Sequence, residues 1–458
     1  MRIVKIAFCL AAALSAAACS LYRECPENPG EEIALDLYGG ESPLLPADTT
    51  SIADLGWRDF FADGTLRELI SLALENNAEL GTARQRIITA QAALKAARWA
   101  FFPSVSVSPS YSFSYSQPRY SGSAQSYSVP FGASWEADLS GSLLARRRKA
   151  AVALQQSETL ERSIRTEIVA TVAEYYYTLL KLDAQLDISR TTADSWKENV
   201  RIMKAMKEAG MTNEASVSQT EANACSVEAS LFDLEYQLSE CESALWAFIG
   251  TTPGEMKRSS LASIAVPDSL VRSVPVSLLS RRADVEAAEQ ELKLAYYDTA
   301  IARAAFYPAL NITGSLGWDK ALSSPAGWLV SLGAGVVQPL FARGSLQAGL
   351  TAARARQEEA AIAFRQVLLS AGAEVSRSLA LCASAQGKTD VRIRQIAALE
   401  SAVVSTRELM RHSESTYLEV LTAQQSLLSA RLQQVSDRYD LLRGSVSLYR
   451  ALGGGAEE

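Results

Sequence analysis

Histidine is almost absent from this sequence, and its cysteines are few and scattered. The 458 residues include one histidine, His412, and six cysteines that form no Cys-x-x-Cys pair. Zinc centres, haem attachment sites and thiol redox sites need such clusters, so these classes are excluded. A histidine-dependent triad would have only His412 to use, and no other polar cluster is visible. We therefore expect no enzyme, no cofactor and no metal site.

The sequence also lacks an excess of basic residues. Lys and Arg number 44 against 51 Asp and Glu, which gives a formal charge of -7. A nucleic-acid partner calls for basic clusters, so we expect none. A nucleotide-binding loop is missing as well, because Gly387-Lys388 lacks the preceding glycine spacing. We therefore do not expect this chain to use a nucleotide itself.

The N-terminus has the features of a secretion signal. A basic start and an apolar core at 6–14 lead to small residues that end at Ala18-Cys19. This pattern predicts a signal peptide over residues 1–18, followed by an extended tether over 19–56 that is rich in Pro, Gly and acidic residues. The small residues resemble a bacterial lipobox with Ala16 in place of the usual leucine. The resemblance predicts a lipid on Cys19; the alternative is ordinary cleavage near Ala18.

No uninterrupted apolar run of 18 residues follows the signal, so we expect no transmembrane helix. A chain of this kind could cross a membrane only as a closed β-barrel, in which every backbone hydrogen bond is satisfied.

The sequence is similar to itself. Residues 77–103 match residues 282–308 without a gap, and the segments around Gly141 and Leu245 match those around Gly344 and Leu448. Internal similarity of this length predicts two repeats, at 57–251 and 274–453, joined by a linker at 252–273 and followed by a tail at 454–458. Each repeat is expected to run helix, two strands, helix, helix.

Apolar residues alternate with Ser, Thr or Gly in four segments, which predicts strands at 104–116, 126–137, 309–319 and 328–338. One apolar face and one small polar face are typical of a water-filled membrane barrel. A soluble sandwich would show the same alternation, but no other segment supplies a second sheet to cover the apolar face. Four strands are too few to close a pore, so several chains must share one barrel.

Two long segments, 142–209 and 345–411, contain few helix breakers. At a rise of 1.5 Å per residue each would form a helix of roughly 100 Å. Their apolar residues recur at steps of three and four, which is coiled-coil spacing. The predicted fold class is mainly α with a membrane β-barrel.

The ordered motifs of the chain resemble those of the TolC family of outer-membrane efflux proteins, in particular the lipid-anchored subunits of tripartite, RND-type pumps. The motifs that carry the resemblance are Trp57-x-x-Phe60-x-Ala-Asp63, Ala97-Arg98 through Phe102-Pro103, Leu279-x-Arg281-Arg282-x-Asp284-Val285, Phe306-Tyr307-Pro308, and Tyr417-Leu418-Glu419-Val420-Leu421-Thr422-Ala423-Gln424. Ala283 stands where the family usually has proline, which concerns a local helix start.

The resemblance implies a homotrimer with four strands per chain, a twelve-stranded barrel in the outer membrane and a long α-helical tunnel in the periplasm. It also implies an inner-membrane transporter and a periplasmic adaptor as partners. The expected function is passive export of drugs or other toxic small molecules. Two alternatives remain open: an exit duct for type I secretion or metal-ion export, and a structural trimeric coiled coil.

The resemblance also places the periplasmic aperture near the turns at 209–212 and 412–415. It puts a constricting side chain at Leu418 and an acidic ring one turn further on, where this sequence has Thr422. Glu419 and Glu414 could supply the negative charge instead, or both could be solvated surface residues.

Overall fold

The computed structural model describes residues 56–116, 122–265, 282–321, 327–339, 341–411 and 417–454. Cys19, His412 and Glu414, together with the predicted signal and nearly all of the tether, lie outside these ranges. Within them the elements follow the order α1 (Trp57–Phe60), α2 (Gly64–Asn76), α3 (Ala78–Trp99), β1 (Ser104–Val107), β2 (Ser110–Ser116), β3 (Gly122–Ala137), α4 (Ser142–Glu208), α5 (Glu214–Ile249), α6 (Ala283–Ala304), β4 (Ala309–Ala321), β5 (Gly327–Val337), α7 (Ser345–Arg411) and α8 (Tyr417–Ala451).

The chain forms two compact units. The first contains Gln85–Thr159 and Glu286–Val367, and it holds all of the strands named above. The second contains residues 56–84, Leu160–Val285 and Leu368–Glu458. Neither unit is continuous in sequence.

The two longest helices begin where the lack of helix breakers predicts them. Helices α4 and α7 have 67 residues each, or about 100 Å at 1.5 Å per residue. Helix α8 packs closely on α7 at Gly444, where an added Cβ would lie 2.8 Å from the sulfur of Cys382. Cys382 is buried there and packs as a small apolar residue.

The sheet is antiparallel, with the strand order β1-β3-β4-β5 and with β2 also paired to β3. The strands overlap the four ranges expected from the alternation, although the first range is split into β1 and β2. The split lies at Pro109, opposite the β3 segment that contains Pro130, and proline has no N–H for the ladder. The register to β3 is the same on both sides of the split, and Ser108 N still donates to Pro130 O at 3.1 Å.

Helix α2 begins at a capped end and anchors the core of the second unit. The Asp63 carboxylate accepts from Leu66 N at 3.1 Å, which satisfies one of the free donors of the first turn. Ahead of it, Phe60 stacks on Tyr449 of α8 with the ring centroids 4.2 Å apart. The buried face of α2 follows the helical period, with Leu66, Leu69, Ile70 and Ala73.

Part of the predicted linker lies against this core rather than in solvent. Leu261 and Ile264 are buried in it, and Arg258 pairs with Asp183 of α4 at 2.7 Å. Burial raises the pKa of the Asp183 carboxyl, and the charge of Arg258 opposes that shift. Leu261 and Ile264 therefore attach the described part of the linker, 252–265, to the core of the second unit.

Gly250 closes α5 in the left-handed region, with φ of 88°, and a Cβ there would lie 2.7 Å from Asn76 O. We expect Gly250→Ala to lower the free energy of unfolding by about 1–3 kcal/mol, because the new methyl group adds a backbone contact to the cost of positive φ. The measurement is denaturant unfolding in detergent. Gly210→Ala is the matched control, since Gly210 has φ of 70° but nothing within 4 Å of the Cβ position. Equal losses in both variants would contradict the role of the contact.

Candidate functional site

The two faces of the sheet differ in chemistry. Register and alternation put large apolar residues on one side, here called the apolar face, and small polar residues on the other, here called the serine face. The apolar face includes Val105, Val107, Phe131, Trp135, Leu316, Val330 and Leu332. The serine face includes Ser104, Ser106, Ser128, Ser134, Thr313, Ser315 and Ser331, with Leu329 and Val337 as apolar exceptions.

Hydroxyl pairs connect neighbouring strands across the serine face. Ser110 and Ser128 lie 2.7 Å apart through their Oγ atoms, and Ser315 and Ser331 lie at the same distance. Ser112 and Ser126 make a third pair at 2.6 Å. The serine face therefore satisfies part of its hydrogen bonding internally and leaves other hydroxyl groups for water.

No described element of the first unit covers the apolar face. Leu332 is 83% exposed and Val105 is 73% exposed, and every residue of β5 is exposed. Such a large exposed apolar surface on a single chain marks contact with a membrane or with another protein. In the same unit, β1 and β5 are the edge strands and have free backbone groups on one side.

One described helix is long and apolar enough to cross a membrane when judged by length and composition alone. It is Ser345–Met410, whose most apolar stretch has a mean hydropathy of 1.2, with 28% of that stretch buried. The sequence analysis looked for uninterrupted apolar runs, which is a stricter criterion, so its expectation of no transmembrane helix stays a prediction. Ala, Leu and Val raise the mean hydropathy of this stretch around its few charged residues. The core helix of a soluble protein can meet the same criterion.

Three of the four predicted aperture residues lie at the start of α8. Leu418 is 65% exposed, whereas Val420 and Leu421, two and three residues on, are buried. The Thr422 hydroxyl donates to Leu418 O at 2.9 Å, one turn back along the helix. Glu419 is exposed on the same turn. Glu414 is outside the described residues, so the structure brings together Leu418, Glu419 and Thr422 only.

The turn between α4 and α5 is well defined. Gly210 has φ of 70°, and the Asn213 side chain caps α5 by accepting from Ser216 N at 3.0 Å. Ion pairs join the two helices, with Lys204 2.7 Å from Glu221 and Lys207 paired with Glu214. The hydrogen bond to Glu221 raises the pKa of Lys204.

Two amide contacts, which the sequence analysis did not identify, link this helix pair to α8. Asn199 Nδ2 donates to Gln424 Oε1 at 2.9 Å, and Gln425 Nε2 donates to Asn223 Oδ1 at 3.2 Å. Each pair is separated by more than 200 residues in the sequence. Polar residues on the exposed side of a helix give no periodic signal, so only the adjacent Gln424-Gln425 could have indicated them.

The motif that contains Arg282 is built around the buried side chain of that arginine. Arg282 Nη1 donates to Ala451 O at 2.7 Å, and Nη2 lies 2.7 Å from Glu374 and 2.8 Å from Asp284. Burial pushes the pKa of the Asp284 carboxyl up, but the hydrogen bonds and charge of Arg282 outweigh it and leave that pKa below its ordinary value. Helix α6 begins at Ala283 without the proline that is usual in the family.

A similar contact occurs in the first half of the chain. Asn77, which aligns with Arg282, donates from Nδ2 to Phe248 O at 2.8 Å, and Phe248 aligns with Ala451. The following helix ends also correspond, because Gly250 and Gly453 both have positive φ. The side chain that precedes α3 or α6 thus bonds in both halves to the end of a later helix.

The chain belongs to the outer membrane efflux protein family, whose model matches residues 69–251 and again residues 274–454. It is 29% identical over 441 residues to the probable efflux pump outer membrane protein TtgC of Pseudomonas putida, across 90% of this chain and 88% of TtgC. It is 27% identical over 464 residues to the cation efflux system protein CusC of Escherichia coli, across 98% of both chains. A crystal structure of CusC superposes with a TM-score of 0.81 at 24% identity, over 90% of this chain and 98% of that chain.

The probable outer membrane lipoprotein SilC of Salmonella typhimurium is 26% identical over 441 residues, across 94% of both chains. The resemblance stated from the motifs is therefore confirmed. As a member of this family, the chain is an outer-membrane channel of the efflux type.

Proposed function

We propose that this protein is the outer-membrane channel subunit of a tripartite efflux pump and conducts small molecules passively from the periplasm to the exterior. The observation that carries the proposal is the sheet of the first unit, with an apolar face that nothing described covers and a serine face opposite to it. In a bilayer the apolar face would contact lipid and the serine face would line a wet lumen.

Three copies of the chain supply the barrel in this proposal. The sheet of one chain is too narrow to close on itself, and its edge strands leave backbone groups unpaired. With β1 and β2 counted as one interrupted strand, each sheet has four strands, so three sheets joined edge to edge give twelve strands and no free edge. Helices α4 and α7 would then continue from the barrel as the walls of a tunnel through the periplasm.

We also propose that the chain arose from two tandem repeats, 57–251 and 274–453, with 252–273 between them. The equivalent contacts of Asn77 and Arg282 support this, as does the double match to the family model. Each repeat would contribute one pair of strands and one pair of helices. Two repeats in each of three chains would then give the channel wall an approximate sixfold symmetry.

The N-terminal cysteine is proposed to be the lipid anchor. The small residues before Cys19 support it, and so does the similarity to SilC, a probable outer membrane lipoprotein. Mass spectrometry of the mature N-terminus tests the assignment, since an acylated Cys19 is expected and a free N-terminus at Cys19 would refute it.

Energy and cargo selection are assigned to partners, an inner-membrane transporter and a periplasmic adaptor. The name of CusC states cation efflux, whereas that of TtgC states an efflux pump without naming its cargo. Export of metal cations is therefore the second candidate. Among the described residues no group of three or more His, Cys, Asp and Glu is placed to hold a metal ion. A strain that lacks the protein, challenged in parallel with antibiotics and with copper or silver salts, separates the two candidates.

Recording from the purified protein in planar bilayers tests the proposal directly. Discrete, steady conductance steps from a detergent-stable trimer are expected. A monomer that needs no detergent, or a trimer that never conducts, would refute the channel and favour a structural coiled coil.

Leu418→Ser is expected to raise the resting conductance several-fold, because an exposed leucine ring at the aperture would keep the constriction dry and a serine ring would let it fill with water. Single-channel recording at neutral pH is the measurement. Leu160→Ser is the control, since Leu160 is also exposed but lies 48 residues, about 72 Å of helix, before the end of α4. Unchanged traces for Leu418→Ser would remove its assignment to the aperture.

A further inference from the structure

A groove of about 530 Å³ lies at the end of α3, in the first unit. Its walls are Leu94, Leu154, Trp99 and Phe102, and the rings of Trp99 and Phe102 are 5.2 Å apart. Both of these aromatic side chains are 61% exposed. Lys95 and Arg98 lie at the rim of the groove. The groove therefore combines an apolar interior with two cationic side chains.

The groove adjoins the end of the apolar face of the sheet. Trp135, on that face, donates from Nε1 to Phe101 O at 2.9 Å. The guanidinium group of Arg147, at the start of α4, lies 5.9 Å from the centre of the Phe101 ring. Aromatic rings and cations thus meet where the apolar face stops, as they do at the boundary between a bilayer and water.

The cations around the groove lack anionic partners in the part of the chain that the structure describes. Lys95, Arg98 and Arg147 form no ion pair with a described carboxylate, whereas Lys149, two residues beyond Arg147, lies 2.6 Å from Asp298. Lys95 and Arg98 thus place two uncompensated positive charges on an apolar groove, which fits a ligand with an anionic head and apolar chains.

The fold itself does not require this groove. In the second half of the chain Ala304 aligns with Trp99, and it is 7% exposed and packed. The same junction between helix and strand therefore forms there without an exposed aromatic residue. Trp99 has no aromatic counterpart at the equivalent position of the second half. Its exposed ring is therefore available to contact a ligand.

We infer that this groove binds an anionic phospholipid of the periplasmic leaflet of the outer membrane. The phosphate would lie against Lys95 and Arg98, and the upper part of the acyl chains would lie along Trp99 and Phe102. The inference rests on the proposed function, since it needs the apolar face to be in the bilayer. The inference adds to the proposed channel a lipid-binding site that prefers anionic headgroups and lies at the end of the apolar face.

The test is native mass spectrometry of the full-length protein in detergent, titrated with phosphatidylglycerol and, separately, with phosphatidylcholine. Wild type is expected to retain phosphatidylglycerol preferentially, and K95Q/R98Q is expected to lose roughly 25-fold of that preference, since each of the two cations near an anionic headgroup contributes a factor of about five. W99A/F102A is expected to bind both lipids more weakly.

R394Q/R407Q removes two exposed arginines of α7 in the second unit and serves as the control, with wild-type preference expected. Equal binding of the two lipids by wild type, or an equal loss in the control, overturns the inference. Efficient cross-linking of W99C between chains also overturns it, because the groove would then be filled by a neighbouring copy. Conductance of the wild-type preparation tests the proposed function separately: channels without a lipid preference refute the lipid site alone.

Discussion

Leu332→Arg is expected to abolish assembly into the membrane. Leu332 lies near the middle of β5 on the apolar face and is the most exposed leucine of the sheet. An arginine at the bilayer midplane of a strand costs about 2–4 kcal/mol, and a trimer would carry three of them. We expect heat-modifiable trimers to fall from most of the protein to a small fraction, measured by refolding into liposomes and semi-native electrophoresis.

Ser331→Arg is the matched control for that variant. Ser331 is the adjacent residue on the serine face, where its hydroxyl pairs with Ser315. The arginine would point into the lumen, so the trimer should form and its ion selectivity should shift towards anions. If both variants assembled equally well, the assignment of the two faces would be wrong.

Arg282→Met is expected to destabilise the second unit by about 1–3 kcal/mol at neutral pH, because it removes the donor of a buried acceptor. The guanidinium side chain is 8% exposed and donates to the carbonyl of the buried Ala451 as well as to Asp284 and Glu374. Without it the Ala451 carbonyl loses this donor and Asp284 loses its cation, whereas Glu374 keeps Arg450 at 3.0 Å. Arg431→Met is the control, because Arg431 pairs with Glu400 at the same 2.7 Å but is 41% exposed. A surface pair of that kind contributes about 0–1 kcal/mol. Denaturant unfolding of the two variants is the measurement, and similar losses would contradict the argument from burial.

The loss in Arg282→Met should depend on pH. In wild type the pKa of Asp284 is lowered, so its stabilisation is complete above the unfolded pKa of about 3.9 and disappears as the pH falls through the lower folded value. Without Arg282, burial, which raises that pKa, is opposed only by backbone hydrogen bonds such as the one from Val285 N, so the lowering that Arg282 causes is lost. The difference between variant and wild type should therefore shrink as the pH falls through about 3.9 and below. A difference that is constant with pH would show that the carboxylate is not involved.

The sheet could be predicted from the sequence because its signal is local. Each strand repeats every two residues, so Tyr111 and Phe113 reveal their shared face without knowledge of any partner strand. The two long helices could also be predicted from the sequence, because their segments contain few helix-breaking residues. The split at Pro109 was not foreseen, since it depends also on Pro130 in the paired strand.

The contacts that organise the second unit could not be predicted, because each joins residues that are far apart in the chain. Arg282 was visible as a motif residue, but its bond to Ala451 spans 169 positions. The amide pair of Asn199 and Gln424 spans 225 positions, and neither residue differs in type from its solvated neighbours. At the aperture, Leu418 is exposed as expected, while its role in constriction stays a prediction.

The tight approach of Gly444 to Cys382 makes the native thiols useful reporters. Of the described cysteines, Cys225 is exposed and should react with maleimide at once, whereas Cys382 is sealed beneath α8. Alkylation of Cys382 would require α7 and α8 to separate, so the rate at which Cys382 is labelled reports how often these two helices separate. The wild-type protein therefore carries a built-in probe of helix opening that needs no engineered cysteine.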